Sequence, residues 1–194
     1  IHSLGLKFGI HIMRGIPRQA AHQNTKIKCE GVTARDIANP SSICGWNPDM
    51  YGLFTDKKGA QEYYDSIFEL YASWGVDYIK CDDIANTEIF PHNPYSARKE
   101  IEMMRKAINK CGRDMVFSLS PGPAPVWEHE HLAANANMWR MTGDFWDEWS
   151  KLHAMFERCY AWQEYVQPGA WPDCDMLPLG RIQITEEKPE YRNR

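Results

Sequence analysis

Apolar residues in this chain follow two spacings that alternate along its length. Short, β-like runs occur from Leu6 to Ile12, Val76 to Asp82, Met115 to Ser120 and Met138 to Met141, with another near Ala170. Between them apolar residues recur every three or four positions, as on one face of a helix. One helix is predicted to be capped by Asp56, to run through Ala60, Tyr64, Ile67, Tyr71 and Trp74, and to end at Gly75. A second passes through Ala97, Ile101, Met104 and Ile108 to Gly112, a short one covers Val126 to Ala134, and a last one runs from about Trp146 to Tyr165. The stretch from the first strand to about Thr55 is rich in Pro, Gly, Asn and Ser and reads as one large loop.

Strands alternating with helices imply a parallel sheet with right-handed crossovers, either an open doubly wound sheet or a closed (β/α)8 barrel. A doubly wound sheet usually carries a glycine-rich phosphate loop after a strand, and this chain has none. Polar residues gather instead at successive strand ends, at Lys80 to Asp83, Ser118 to Ser120, Arg140 to Asp144 and Asp173 to Asp175. That is the end at which a barrel builds its active site. The expected fold class is α/β, a (β/α)8 TIM barrel. Such barrels take about 250 residues, and five strands are counted here. Residues 1–194 are therefore expected to form part of a catalytic barrel, about strands 3 to 7, truncated at both ends.

Composition narrows the function classes. A chain that is 43% hydrophobic and 25% charged is neither disordered nor membrane-embedded in character, and no apolar run approaches the length of a membrane span. A net charge of −4 leaves no basic footprint for nucleic acid, so neither nucleic acid nor a membrane is an expected partner. The six cysteines form no C-x-x-C pair and suggest no metal site. Their even number is compatible with a secreted or periplasmic disulfide protein, but Cys81 and Cys111, in a strand and a helix, are expected to be buried thiols.

The chemistry sits at the strand ends. Lys80 and Asp82 at the end of a buried strand need partners; they form a structural ion pair or, in a glycosidase, an ionised nucleophile beside an ammonium group. Asp144 is either a helix N-cap or the second carboxyl group that glycoside hydrolysis needs, with Arg140 on the same strand able to hold a hydroxyl or orient a carboxylate. Asp173 and Asp175 stand at alternate positions, which on an extended chain share a face and could grip a pair of hydroxyls. A metal site using Asp82 and Asp83 is disfavoured because the nearest histidines, His129 and His131, fall on an acidic helix expected to be solvated. Lys80 could also serve a Schiff-base aldolase, and a non-catalytic sugar-binding barrel is a further alternative.

The ordered motifs Gly75-Val76-Asp77-Tyr78-Ile79-Lys80-Cys81-Asp82, Trp139-Arg140 with Asp144, and Trp171-Pro172-Asp173-Cys174-Asp175-Met176-Leu177 resemble glycoside hydrolase family 27, the α-galactosidases and α-N-acetylgalactosaminidases. Gly5 to Ile10 looks like that family's third barrel strand. The resemblance implies a retaining α-glycosidase that needs no cofactor or metal and acts on α-linked oligosaccharides or glycoconjugates. It implies Asp82 as nucleophile, Asp144 as acid/base, and Lys80 and Arg140 as substrate-binding residues. Asp173 and Asp175 match the family's Asp-Pro-Asp, with Cys174 in place of Pro. His11 falls where the family often has a tyrosine that contacts substrate, and Trp46 belongs to a loop that could narrow the site. Where family members carry Cys-Glu-Trp to read the sugar's 2-substituent, this chain has Leu119-Ser120-Pro121-Gly122. The smaller Ser120 leaves room for galactose, N-acetylgalactosamine or another α-linked sugar.

Overall fold

The computed structural model describes residues 1–85 and 97–179. Among these residues five strands form one parallel sheet: β1 (Gly9–Met13), β5 (Tyr78–Asp82), β6 (Val116–Leu119), β7 (Met138–Arg140) and β8 (Trp171–Asp173). Their spatial order, β1-β5-β6-β7-β8, follows their order in the chain. A doubly wound sheet reverses order at a switch point; a monotonic order with intervening helices is the arc of a (β/α)8 barrel.

The helices cover the outer face of the sheet. In β5, Ile79 and Cys81 are fully buried, while Tyr78, Lys80 and Asp82, pointing the other way, are only half-buried. The outward row joins Phe117, Leu119 and Trp139 of the sheet with Tyr64 and Phe68 of α3 (Ala60–Ser73) and Ile101 and Met104 of α4 (Arg98–Lys110). Burying each such side chain stabilises the fold by about 1.5–3 kcal/mol. The helix α3 starts later than the sequence suggests. Its N-cap is Gly59, with φ 97°, whose N–H donates to the Glu62 carboxylate at 3.1 Å, so Asp56 does not cap it. It ends as expected, with Gly75 in the left-handed region at φ 76°. α5 (His129–Asn135) and α6 (Trp149–Trp162) complete the outer layer, α6 beginning three residues after the predicted start.

The segment expected to be one large loop is instead folded. It holds two short helices, α1 (Arg18–His22) and α2 (Ala34–Ile37), and an antiparallel sheet of β2 (Ile16–Pro17), β4 (Met50–Leu53) and β3 (Ala38–Ile43), ordered β2-β4-β3. The composition of β3, Ala-Asn-Pro-Ser-Ser-Ile, disguised it. Pro40 lies where the pairing register shifts between Asn39 and Ile43, a bulge at which a missing N–H costs no ladder hydrogen bond.

Candidate active site

Parallel pairing of β1 with β5 sets His11 beside Lys80 and Met13 beside Asp82. His11 Nε2 lies 3.1 Å from Asp82 Oδ2. The next residue, Asp83, adopts φ 58° and points away into the protein, so the two adjacent carboxylates serve different partners. Asp83 belongs to a buried network behind the strand end. Arg14 donates from Nε to the Asp83 carbonyl at 2.6 Å, from Nη2 to Asp83 Oδ2 at 2.7 Å, and from Nη1 to Glu100 Oε2 at 2.7 Å. Glu100 also accepts from the Tyr64 hydroxyl at 2.6 Å and from the Leu53 N–H at 3.2 Å. Arg14, Asp83 and Glu100 are each at most 4% exposed. Burial raises the Asp83 carboxyl above the ordinary carboxylate range, a shift opposed by Arg14. The two flanking carboxylates hold the Arg14 guanidinium above its ordinary value despite its burial. This network ties β1, β5, α3 and α4 together under Asp82. Neither Arg14 nor Glu100 is among the residues expected at the site from the sequence. Glu100 could have been found, because it falls on the same helical stripe as the apolar Ile101, Met104 and Ala107.

The second group comes from β7 and β8. Arg140, 3% exposed at the end of β7, donates from Nη1 to Asp144 Oδ1 at 2.5 Å, while its Nη2 lies 3.3 Å from Asp175 Oδ2, too poorly aligned for a hydrogen bond. Asp175 also faces Lys80, with Oδ1 3.7 Å from Nζ, and so links the β5 group to the β7 group. It does so from a turn. The chain leaves the extended conformation after Asp173, Asp175 has φ 55°, and its N–H donates to Asp173 Oδ1 at 2.8 Å. The expected shared face of Asp173 and Asp175 is therefore replaced by an Asx-type turn in which Asp173 supports Asp175. Asp144 is not a helix cap, since α6 begins at Trp149 with Glu148 as its N-cap.

Asp82, Asp144, Arg140 and Trp46 line one cleft of about 300 Å³ together with Pro121, Gly122 and Gly143. Gly122 lets the β6 loop lie against the backbone of the β7 end; a Cβ there would stand 2.2 Å from the Thr142 carbonyl oxygen. Ser120 does not line this cleft. It is buried, its carbonyl accepts the Ile84 N–H at 3.0 Å, and its hydroxyl has no partner among the described residues. A larger cleft of about 580 Å³ opens at the opposite end of the sheet around Asp77, Arg105 and Arg113. There the Asp77 carboxylate is already engaged by the Phe8 N–H, His2 and Arg113, which suits a structural tie at the stability end of a barrel.

Among the described residues no group of three or more His, Cys, Asp or Glu side chains could hold a metal ion. The histidines of α5 are not solvated as expected. His131 is buried with Nε2 3.2 Å from Glu102 Oε1, and burial pushes its pKa below the usual value; His129 stacks on Tyr165 at 3.9 Å. Of the cysteines expected to be buried, Cys81 is and Cys111 is half-buried.

Comparison with known proteins agrees with the motifs. A solved structure of a GH27 β-L-arabinopyranosidase from Geobacillus stearothermophilus superposes with a TM-score of 0.87 at 60% identity, over 94% of this chain and 41% of that one. Alpha-galactosidase A of Cellvibrio japonicus is 33% identical over 96% of this chain and 39% of its own length. Alpha-galactosidase 2 of Arabidopsis thaliana is 36% identical over 61% of this chain and 28% of its own. This chain thus spans between about a quarter and two fifths of the length of these relatives. The family profile described as Alpha galactosidase A matches residues 50–192, most of the chain, and the chain therefore belongs to the alpha-galactosidase A family of melibiases within glycoside hydrolase family 27.

Proposed function

We propose that the protein to which this chain belongs is a retaining glycosidase that releases terminal α-linked galactose-type sugars by double displacement. The observation that carries this reading is that Asp82 and Asp144, from separate strands, line the same cleft beside Arg140. Asp82 attacks the anomeric carbon and forms a glycosyl ester as Asp144 gives its proton to the departing oxygen. Asp144 then takes a proton from water, which attacks the ester and releases the sugar with its original anomeric configuration. His11 orients Asp82 through the 3.1 Å contact. Lys80, Arg140 and Asp175 offer two donors and an acceptor for sugar hydroxyls, with Asp173 bracing Asp175. Bound sugar replaces Asp144 as the partner of Arg140 and frees this carboxyl group, whose side chain is 66% exposed, to reach the leaving oxygen. Trp46 supplies a flat apolar wall to the cleft, and Pro121 and Gly122 add little side-chain bulk to it.

A second reading of the sugar is favoured by the 60% identity to a β-L-arabinopyranosidase. β-L-Arabinopyranose has the ring hydroxyl configuration of α-D-galactopyranose and lacks its hydroxymethyl group, so the same hydroxyl-binding residues serve both. Turnover of nitrophenyl α-galactopyranoside and nitrophenyl β-L-arabinopyranoside by the full-length enzyme ranks the two. NMR of the first-formed sugar tests the mechanism: the substrate's own anomer is expected, and Asp82→Asn should abolish turnover because an amide cannot form the ester. Appearance of the opposite anomer first would rule out double displacement.

A further inference from the structure

Cys159 on α6 and Cys174 just after β8 bring their Sγ atoms to 3.7 Å, and both are half-buried, within reach of small solutes. A disulfide requires about 2.05 Å between sulfurs, so roughly 1.7 Å of approach closes the bond. Side-chain rotation supplies part of that approach, and backbone supplies the rest. The helix is the firmer side: Arg158, next to Cys159, donates from Nη1 to the Met141 carbonyl at 3.1 Å and so fixes α6 against the end of β7. The other side is the turn, where Cys174 stands between Asp173 and Asp175. Asp175 lies 3.7 Å from Lys80 and 3.3 Å from Arg140, so a shift of the turn toward α6 opens both contacts.

We propose that Cys159 and Cys174 form a redox modification site at which a small-molecule disulfide such as oxidised glutathione installs an intramolecular disulfide, displacing Asp175 and weakening sugar binding. The Cys159 thiolate attacks one sulfur of the reagent and expels one glutathione thiolate, leaving a mixed disulfide. The Cys174 thiolate then attacks Cys159 Sγ and expels the second. The two protein thiols lose two electrons to the reagent, and their two protons end on the two released glutathione molecules. Burial, with the Cys159 hydrogen bond, holds the Cys174 thiol up at about 11, so the exchange accelerates with rising pH.

The test uses the full-length enzyme incubated with oxidised glutathione or with dithiothreitol, followed by non-reducing peptide mapping and steady-state kinetics. Expected are a cross-linked peptide pair joining Cys159 to Cys174, a KM raised several-fold, and full recovery on reduction. Cys159→Ser, which removes a partner outside the sugar site, should show no cross-link and no oxidant-dependent change in KM. Glutathione adducts without the cross-link would overturn the proposal, as would a cross-link that leaves KM unchanged. The kinetic arm rests on Asp175 belonging to the sugar site, whereas the peptide map does not. Failure of the Asp82 and Asp144 assignments would show independently in the reduced variants at those two positions.

Discussion

Replacing Gly122 by alanine tests how the cleft is built. The added Cβ would stand 2.2 Å from the Thr142 carbonyl oxygen and 2.7 Å from that of Arg140, both backbone atoms that cannot rotate aside. Ordinary contact needs about 3.5 Å, so the β6 loop and the end of β7 must separate by roughly 1 Å. Overpacking of this kind costs about 1–3 kcal/mol of stability. The strand end that moves carries Arg140 and leads to Asp144, and a misplacement of about 1 Å at reacting groups can cost about 100-fold in rate. That loss equals about 2.7 kcal/mol of transition-state stabilisation. Gly143 is the natural comparison: it lines the same cleft, yet among the described residues its Cβ would meet nothing nearer than the Gly122 carbonyl oxygen at 3.8 Å. Thermal melts and kcat/KM on a nitrophenyl glycoside decide the matter. Gly122→Ala should melt several degrees lower and lose about two orders of magnitude in kcat/KM, while Gly143→Ala should melt like the parent. If Gly122→Ala melts like the parent and keeps more than half its kcat/KM, close packing of these backbones is not what shapes the site.

Arg14→Met should cost about 3–5 kcal/mol in a denaturant titration, because it strands two buried carboxylates, and adding Glu100→Gln should recover part of that loss. Asp144→Ala should nearly abolish turnover of glycosides with poor leaving groups yet retain far more on activated aryl glycosides, which depart with little protonation; equal loss on both would remove Asp144 from the acid/base role. Asp77 is held below the usual carboxylate range, chiefly by the Phe8 N–H and then by His2 and Arg113. A depressed folded pKa contributes stability that is present above the unfolded value near 3.9 and is lost as pH falls through the folded one. Asp77→Asn should therefore lower the melting temperature at pH 7, with the difference from the parent shrinking below about pH 4.

Much of the fold was legible because helices and strands write different periods into the sequence. The alternation from Tyr64 to Ile79, Ile101 to Phe117 and Leu132 to Trp139 reports one buried face after another, and each burial is local enough to read. Gly75 and Gly112 marked helix ends because only a residue without Cβ takes their positive φ at no cost. The strand-end position of Lys80, Asp82 and Arg140 was readable for the same reason, since strand direction and alternation fix where a side chain must point.

Residue order and period alone thus dictate this framework and the identity of the charged residues at its polar ends. Which of those charges meet depends on how the chain folds in three dimensions. The small sheet around β3 and β4 was invisible because its pairing, not its Pro- and Ser-rich composition, holds it extended. Asp83 and Asp82 look equivalent in sequence, yet a positive φ at Asp83 sends one carboxylate to Arg14 and leaves the other at the cleft. Asp173 and Asp175 likewise part company because the chain turns between them, so that one braces while the other joins Lys80 to Arg140. Distances between residues far apart in the chain depend on how strands register and loops close, and the period of a sequence carries no record of either.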